Sequence, residues 1–455
     1  MVVCFEVSHS GRSCAYRESL LSLQVECDLP ASFESMYQTG ETGMSDSPKL
    51  RRSLSLSLVC LYGVGNILGA GIYVLIGKVA GESGYFTPLA FLLASIVAGI
   101  TAFSFAELSS RYPVSAGEAV YVQEAFGVKQ LSLVVGLLIV LTGVVSSATI
   151  AKGFVGYFNV FFDLPASLII VVLLVTLGLI AVWGILESVS TAAFFTLVEI
   201  GGLLLILFVA APDLTLLTET KAIFIPDMKM HSWIGISSGA FLAFYAYVGF
   251  EDMVNVAEEV KNPSRNMPIA ILVALSVATV MYILVAISAL LVLTPTALSL
   301  SEAPLADVYE AATGLNPWLI SVVSLFAVVN GALVQIIMAS RVCYGLAKRN
   351  WLPDFIGRVG SKTQTPVNAT AVLTALTIAA ALWFPIETLA AMTTTLLLFI
   401  FTLVNIALVK IKRQAEPVEN VFQVSILLPV VGSILCGSFL VIQGLSLLLS
   451  VIGGL

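Results

Sequence analysis

Long apolar runs most narrow the folds open to this chain. Stretches at 55–76, 86–110, 130–158, 166–184, 190–211, 233–256, 268–293, 316–345, 367–384 and 387–409 are dominated by hydrophobic residues and joined by short polar links. A helix needs about 20 such residues to cross the hydrocarbon core of a bilayer. Only 11% of the 455 residues are charged, against about 25% in an average soluble domain. The expected fold is therefore an all-α polytopic membrane protein. The stretch from Val424 to Leu455 is apolar throughout, with Pro429 and Gly432 early and Gln443 and Gly444 in the middle. It reads as an eleventh helix plus a short or incomplete twelfth.

Residues 1–43 are Ser-rich and of mixed charge, with no run long enough to span. They read as a disordered tail or as a stretch ahead of the true start at Met44. No basic segment precedes an apolar one there, which argues against a signal peptide. The net charge of -7 says little about partners, because the placement of Lys and Arg carries the information. With the N-terminus in the cytoplasm, Arg51, Arg52, Arg111, Lys129, Lys261, Arg265, Arg341, Lys348, Lys410 and Lys412 fall inside. Lys78, Lys221 and Lys229 stay outside. This asymmetry is what the positive-inside rule expects of a cytoplasmic N-terminus; in a bacterial host the expected location is the inner (plasma) membrane. The six cysteines have no metal-ligand or disulfide spacing, and His9 and His231 are the only histidines. No metal, cofactor or nucleic-acid partner is implied.

Two apolar stretches break their own helical pattern with glycine. One carries Gly63, Gly65, Gly69, Gly71 and Gly77; the other runs from Phe244 through Gly249 to Glu251. Unpaired backbone at membrane depth survives only where it lines a cavity enclosed by protein, so both are candidate binding segments. Paired interruptions of this kind in two halves of a chain mark the midplane site of secondary transporters. The first heads spans one to five and the second spans six to ten. Five spans per group invert the second group relative to the first, giving a five-plus-five inverted repeat with discontinuous helices 1 and 6. The expected boundaries are 44–211 for the first repeat, 212–231 for an external loop, 232–410 for the second repeat and 411–455 for the C-terminal helix or helix pair.

An unwound helix exposes N–H groups where its second half begins and carbonyls where its first half ends. The N–H groups of Ala70, Gly71 and Ile72 are the expected carboxylate donors. The carbonyls of Ile67, Tyr245 and Val248 are the expected ammonium acceptors, with Gly249 allowing the bend. A zwitterionic α-amino acid matches this arrangement. Glycine in a membrane helix also serves close packing, which is the favoured reading for Gly63 and Gly65 alone.

These residues resemble a known family, the amino acid permeases of the amino acid/polyamine/organocation superfamily, near its bacterial cationic-amino-acid-transporter-like members. Gly65 through Tyr73 is similar to the first-helix signature, Phe244 through Pro268 to the sixth-helix and loop signature, Ser104 through Pro113 to the end of the second helix, and Ser340 through Pro353 to the end of the eighth. The resemblance implies the inverted-repeat fold and secondary active transport of amino acids by alternating access, as proton-coupled symport or exchange. It matches Ala70 and Gly71 to carboxylate-binding backbone, Ile67 to an amine-binding carbonyl, Tyr245 to an aromatic gate and Glu251 to an acidic gate or proton-responsive group. Asn66 either hydrogen-bonds substrate or caps the break, Tyr247 either lines the side-chain pocket or packs, and Phe250 is expected to line that pocket. Where proton-coupled relatives carry a fifth-helix lysine, this chain has Glu199. A carboxylate there either carries the coupling proton or helps ligate a cation.

Ionisable residues inside spans are functional candidates by default, and Glu199 and Glu251 lead, with Asp252 next. At the cytoplasmic end, Glu258 and Glu259 are expected to form an ion-pair latch with Arg111 or Arg341. A non-transporting amino acid sensor and a polyamine or other amine transporter are the alternatives. An enzyme is disfavoured, since no Ser/His, paired-Asp or metal constellation is visible and no phosphate-binding loop exists.

Overall fold

In a bilayer, helix is the element that satisfies every backbone N–H and C=O within its own segment. The computed structural model follows that rule: the described residues are helical with short connections and a single isolated bridge. It describes residues 54–453 apart from 70, 115–116, 184–188, 213–220, 227–229, 361–362, 364 and 415–420. The expected tail over 1–43, Arg51, Arg52, and the Ala70 amide assigned to carboxylate binding therefore lie outside the described residues.

Helix α1 (Leu56–Leu68) starts where Ser55 caps it, the Leu58 N–H donating to the Ser55 hydroxyl at 3.5 Å. Helix α2 (Gly71–Ser83) starts three residues after the last residue of α1. Then come α3 (Thr87–Arg111), the short α4 (Gly117–Phe126), α5 (Lys129–Asn159), α6 (Ala166–Trp183) and α7 (Val189–Val209). Helix α8 (Met230–Phe244) passes into a 3-10 turn at Tyr245–Tyr247, a bend, and a 3-10 stretch at Asp252–Glu259. Helix α9 (Pro263–Val292) follows, then the short α10 (Pro295–Leu300) and α11 (Pro304–Thr313). The set closes with α12 (Trp318–Lys348), α13 (Val367–Trp383), α14 (Ile386–Gln414) and α15 (Leu427–Gly453).

Eight helical stretches among the described residues are long and apolar enough to cross a membrane. The first, Leu56–Arg111, contains both the first and second expected spans, and Ala193–Val209 and Val367–Trp383 are shorter apolar helices. Two boundaries differ from the sequence reading. Helix α9 begins five residues before Pro268, because Asn262 turns left-handed (φ 47°) and Pro263 takes the first helical turn, where proline loses no hydrogen bond. The C-terminal stretch is one helix, not a helix plus a fragment. Pro429 lies in its first turn, where there is no i−4 bond to break, and neither Gly432 nor Gly444 interrupts it.

Polarity runs inside out. Leu179, Trp183, Phe194 and Phe208 stand on open outer faces, whereas Glu107, Glu118, Glu199 and Asn405 are buried. Contiguous exposed apolar surface of this kind suits contact with lipid. The most extensive helix pairings are α5 with α12 and α3 with α9; α1 lies against α7 and α9, and α2 against α8. At one end the chain entering α1 is strapped to the chain leaving the second break. Leu54 N donates to Glu259 O and Lys261 N donates to Leu54 O, both at 3.0 Å.

Candidate functional site

The α1–α2 junction meets the bend that follows α8. A Cβ on Gly71 would strike the backbone of Ala246, so glycine at the start of α2 is what lets the second broken segment come against it. Gly249 has φ +125°, a conformation that side-chain-bearing residues rarely adopt, and a Cβ there would sit 2.6 Å from the Asn66 carbonyl oxygen. Each break thus carries a glycine pressed on the other's backbone. Asn66 ties them further, its Nδ2 donating to the Gly249 carbonyl at 3.2 Å.

Asn66, Ile67, Gly71, Tyr245 and Val248 line one narrow cleft with Ser146 and Ile150 of α5 and Gly331 and Gln335 of α12. The first turn of α2, Gly71 and Ile72, supplies N–H groups that have no intrahelical acceptor. Carbonyls come from Ile67 at the end of α1 and from the Tyr245–Val248 turn, where Val248 N already donates to Tyr245 O at 3.1 Å. Since a carbonyl has two lone pairs, that turn still offers acceptor capacity. The cleft's open volume is about 20 Å³, on the scale of one water molecule.

Several residues at this junction escaped the sequence reading. The Tyr282 hydroxyl of α9 lies 2.5 Å from the Ile67 carbonyl and 2.7 Å from that of Ala246, so one side chain serves both breaks. Tyr245 reaches α5, its hydroxyl 3.0 Å from Ser146 Oγ and 3.1 Å from the Ser146 carbonyl. Tyr282, Ser146 and Gln335 are polar residues in apolar helices; only the facing of those helices reveals them.

Other expected site residues are placed away from the cleft. Tyr247 packs on Tyr282, ring centroids 5.2 Å apart, and donates to the Phe91 carbonyl at 3.0 Å. Phe250 joins a ring cluster with Phe105 and Phe401. Glu251 turns back on its own bend and accepts from Gly249 N at 2.9 Å, while Asp252 accepts from Gln335 Nε2 at 2.7 Å. Glu199 of α7 is fully buried; Asn330 Nδ2 donates to its Oε1 at 3.1 Å, and its Oε2 has no partner. The carboxylate faces α1's last turn, since a Cβ on Gly69 would lie 3.7 Å from Glu199 Oε1.

The Arg111 latch needs correction. Arg111 donates to Glu107, one turn back on its own helix, from Nε at 2.9 Å and Nη2 at 2.6 Å. Lys412 of α14 reaches the same buried carboxylate at 2.8 Å, and Val424 N caps it at 2.8 Å. An i,i+4 carboxylate is already within reach before any loop closes, which is why Glu107 takes the arginine rather than Glu258 or Glu259. Arg341 and Glu258 both have interaction partners, and the Glu259 backbone holds the Leu54 strap.

The family described as amino acid permease matches residues 54–451. The chain is 30% identical over 405 residues to the vacuolar cationic amino acid transporter 2 of Arabidopsis thaliana, covering 83% of this chain and 62% of that protein. It is 26% identical over 422 residues to the methylthioribose transporter of Bacillus subtilis strain 168, covering 87% and 89%. It is 25% identical over 415 residues to the branched-chain amino acid permease BcaP of the same strain, covering 83% and 85%. These relatives are transporters and permeases, and the chain spans less than two thirds of the plant relative's length. Touching helix breaks inside a bundle with an apolar exterior, together with a family match along nearly all of the described chain, make this a multi-pass integral membrane protein that belongs to the amino acid permease family.

Proposed function

We propose that the protein is a secondary active transporter that carries amino acids across the membrane by alternating access, as proton-coupled symport or exchange. The observation that carries the reading is the cleft where the two breaks touch, with amide donors on one wall and carbonyl acceptors on the others. The substrate carboxylate takes the N–H groups of Ala70, Gly71 and Ile72, where the α2 dipole favours negative charge. Its ammonium takes the carbonyls of Ile67, Tyr245 and Val248, sharing Ile67 with the Tyr282 hydroxyl. Tyr245, bonded to Ser146, closes over the substrate, and Asn66 holds the breaks in register. Tyr247 and Phe250 support the gate from behind.

The two groups of five helices, 44–211 and 232–410, are read as inverted repeats. In support, the counterparts under that reading face each other: first span with sixth, second with seventh, third with eighth. Elements related by a two-fold axis and lying near it touch in this way. The N-terminus is read as cytoplasmic in the plasma membrane, with Arg341, Glu258 and Glu259 at the inward mouth. Glu199 and Glu251 are the coupling candidates. The cationic amino acid transporters and BcaP among the relatives favour amino acids as cargo, and the methylthioribose transporter makes a thiosugar the second substrate to screen. Uptake of radiolabelled amino acids into proteoliposomes tests the reading, with an imposed pH gradient compared against a sodium gradient. Accumulation under the pH gradient is expected; no uptake or counterflow of any amino acid under either would end it.

A further inference from the structure

Cations gather at one end of the bundle. Residues 121–130, 344–359 and 406–414, the ends of α4, α12 and α14 with the start of α5, hold seven Lys and Arg against the carboxylates Glu124 and Asp354. The chain as a whole is acidic, with 21 Lys and Arg to 28 Asp and Glu, so the local excess is not a reflection of composition. These helix ends come together because α5 packs on α4, α12 and α14. Lys412 is taken by the buried Glu107. Among the described residues the other ion pairs are Lys78 with Glu387 and Arg111 with Glu107, so the remaining six cations of the patch are in none.

Aromatic rings hold four of them. Lys129 Nζ lies 6.0 Å and Arg349 Cζ 5.6 Å from the ring centroid of Trp351, within the cation–π reach of about 6 Å. Lys348 Nζ is 4.8 Å from the Tyr344 ring and Lys410 Nζ 4.8 Å from that of Phe126. The indole is fixed by the way α12 ends. Asn350 turns left-handed (φ 56°), its N–H donates to Ala347 O at 2.9 Å, and Trp351 N donates to Leu346 O at 3.0 Å. That pair of bonds closes a helix and folds the chain back, which sets Trp351 against the start of α5. Helix polarity accounts for Lys348 and Arg349 at the end of α12 and works against Lys129 at the start of α5. A ring face steadies a cation without cancelling its charge, so the patch keeps its field.

The surface beside the patch is apolar. Val128 and Phe355 are exposed there, and one face of α5 presents Gln130, then Val134, Leu137 and Leu141, all exposed. From Lys129 to Leu141 the helix rises about 18 Å, close to the roughly 15 Å depth of one hydrocarbon leaflet. A small soluble anion would use the cations and leave the stripe bare. A molecule with a phosphate head and hydrocarbon chains matches both.

We propose that this end of the bundle is a docking site for an anionic membrane phospholipid, its headgroup phosphate seated between Lys129 and Arg349 at the Trp351 indole, with Lys348 and Lys410 at the rim and an acyl chain along the α5 stripe. Because α5 and α12 both wall the cleft, a headgroup held across their ends ties those two walls together.

The test is native mass spectrometry of the full-length protein in detergent, given equal amounts of phosphatidylglycerol and phosphatidylcholine with the same acyl chains. Phosphatidylglycerol is expected to occupy the protein at least about fivefold more than phosphatidylcholine, the factor that one well-placed cation near an anionic headgroup supplies. That ratio is expected to fall toward one in Lys129→Gln/Arg349→Gln and to stay unchanged in Lys78→Gln, which alters a cation at another site. Because both lipids are read on the same folded molecules, a smaller yield of a variant does not alter the ratio. Equal occupancy by the two lipids in the unmodified protein overturns the site, and so does a preference that the double substitution leaves intact. A preference lost equally in Lys78→Gln reports net charge alone and also overturns it. Displacement of phosphatidylglycerol by millimolar inorganic phosphate assigns the patch to a soluble anion instead, the fourth overturning result.

Discussion

Gly249 is the residue on which the junction turns. Its φ of +125° and the nearness of the Asn66 carbonyl act together, so an alanine is strained and collides. Backbone strain of this kind costs on the order of 1–3 kcal/mol. Gly249→Ala should lower the melting temperature in detergent and remove uptake; unchanged melting and transport would show that the bend tolerates a side chain. Gly71 and Gly249 were legible in the sequence because glycine in an apolar run is itself a break signal. Tyr282, Ser146 and Gln335 were not, since a polar residue in a membrane helix reads the same whether it faces a cleft, a neighbour or nothing. Asn66 was legible as important but ambiguous in role, and the structure places it between the breaks, donating to Gly249.

Among the elements, α3 and α14 are joined through Glu107, whose carboxylate takes Arg111, Lys412 and the Val424 N–H. Ser110 adds to the junction, accepting from Phe422 N at 2.9 Å and donating to Ser264 O at 2.7 Å. Removing one member of a buried ion pair costs about 3–5 kcal/mol because the other charge is stranded. Glu107→Gln strands two cations and Lys412→Gln none, so thermal unfolding should rank Glu107→Gln as clearly the less stable; the reverse order would deny Glu107 its central place. Helix α4 gives a pH-dependent counterpart. Glu118 goes from 4.5 to about 8 on folding, so the folded state binds the proton more tightly and stability falls as pH rises through that window. Glu118→Gln should match the unmodified protein in melting temperature below pH 4.5 and exceed it above pH 8, and parallel curves would mean that Glu118 is not buried. The long helices were legible from hydropathy, to within a few residues at their ends. Short α4, α10 and α11 were not, because ten residues or fewer of mixed character look like loop.

For the molecule as a whole, α5 faces α12 and α3 faces α9, and the alternating access proposed above would rock one set of helices against the other. Glu199 lies behind the contact of the two breaks, one oxygen bonded to Asn330 and the other unpaired, where a proton or cation could be read by both sets. Glu199→Gln fixes the uncharged form and should flatten the pH dependence of uptake; an identical pH profile would exclude it as the coupling group. Helix α14 runs the length of the bundle with a charge pair near each end. Near its start Glu387 meets Lys78 at 2.9 Å, with side chains 46% and 29% exposed; near its finish Lys412 meets the wholly buried Glu107 at 2.8 Å. Dissolved salt reaches and weakens the first pair but hardly touches the second. Ionic strength on the Glu387 side is thus a dial for one end of the helix only: brine loosens that end while the far end stays moored, so the bundle has a preferred direction in which to yield.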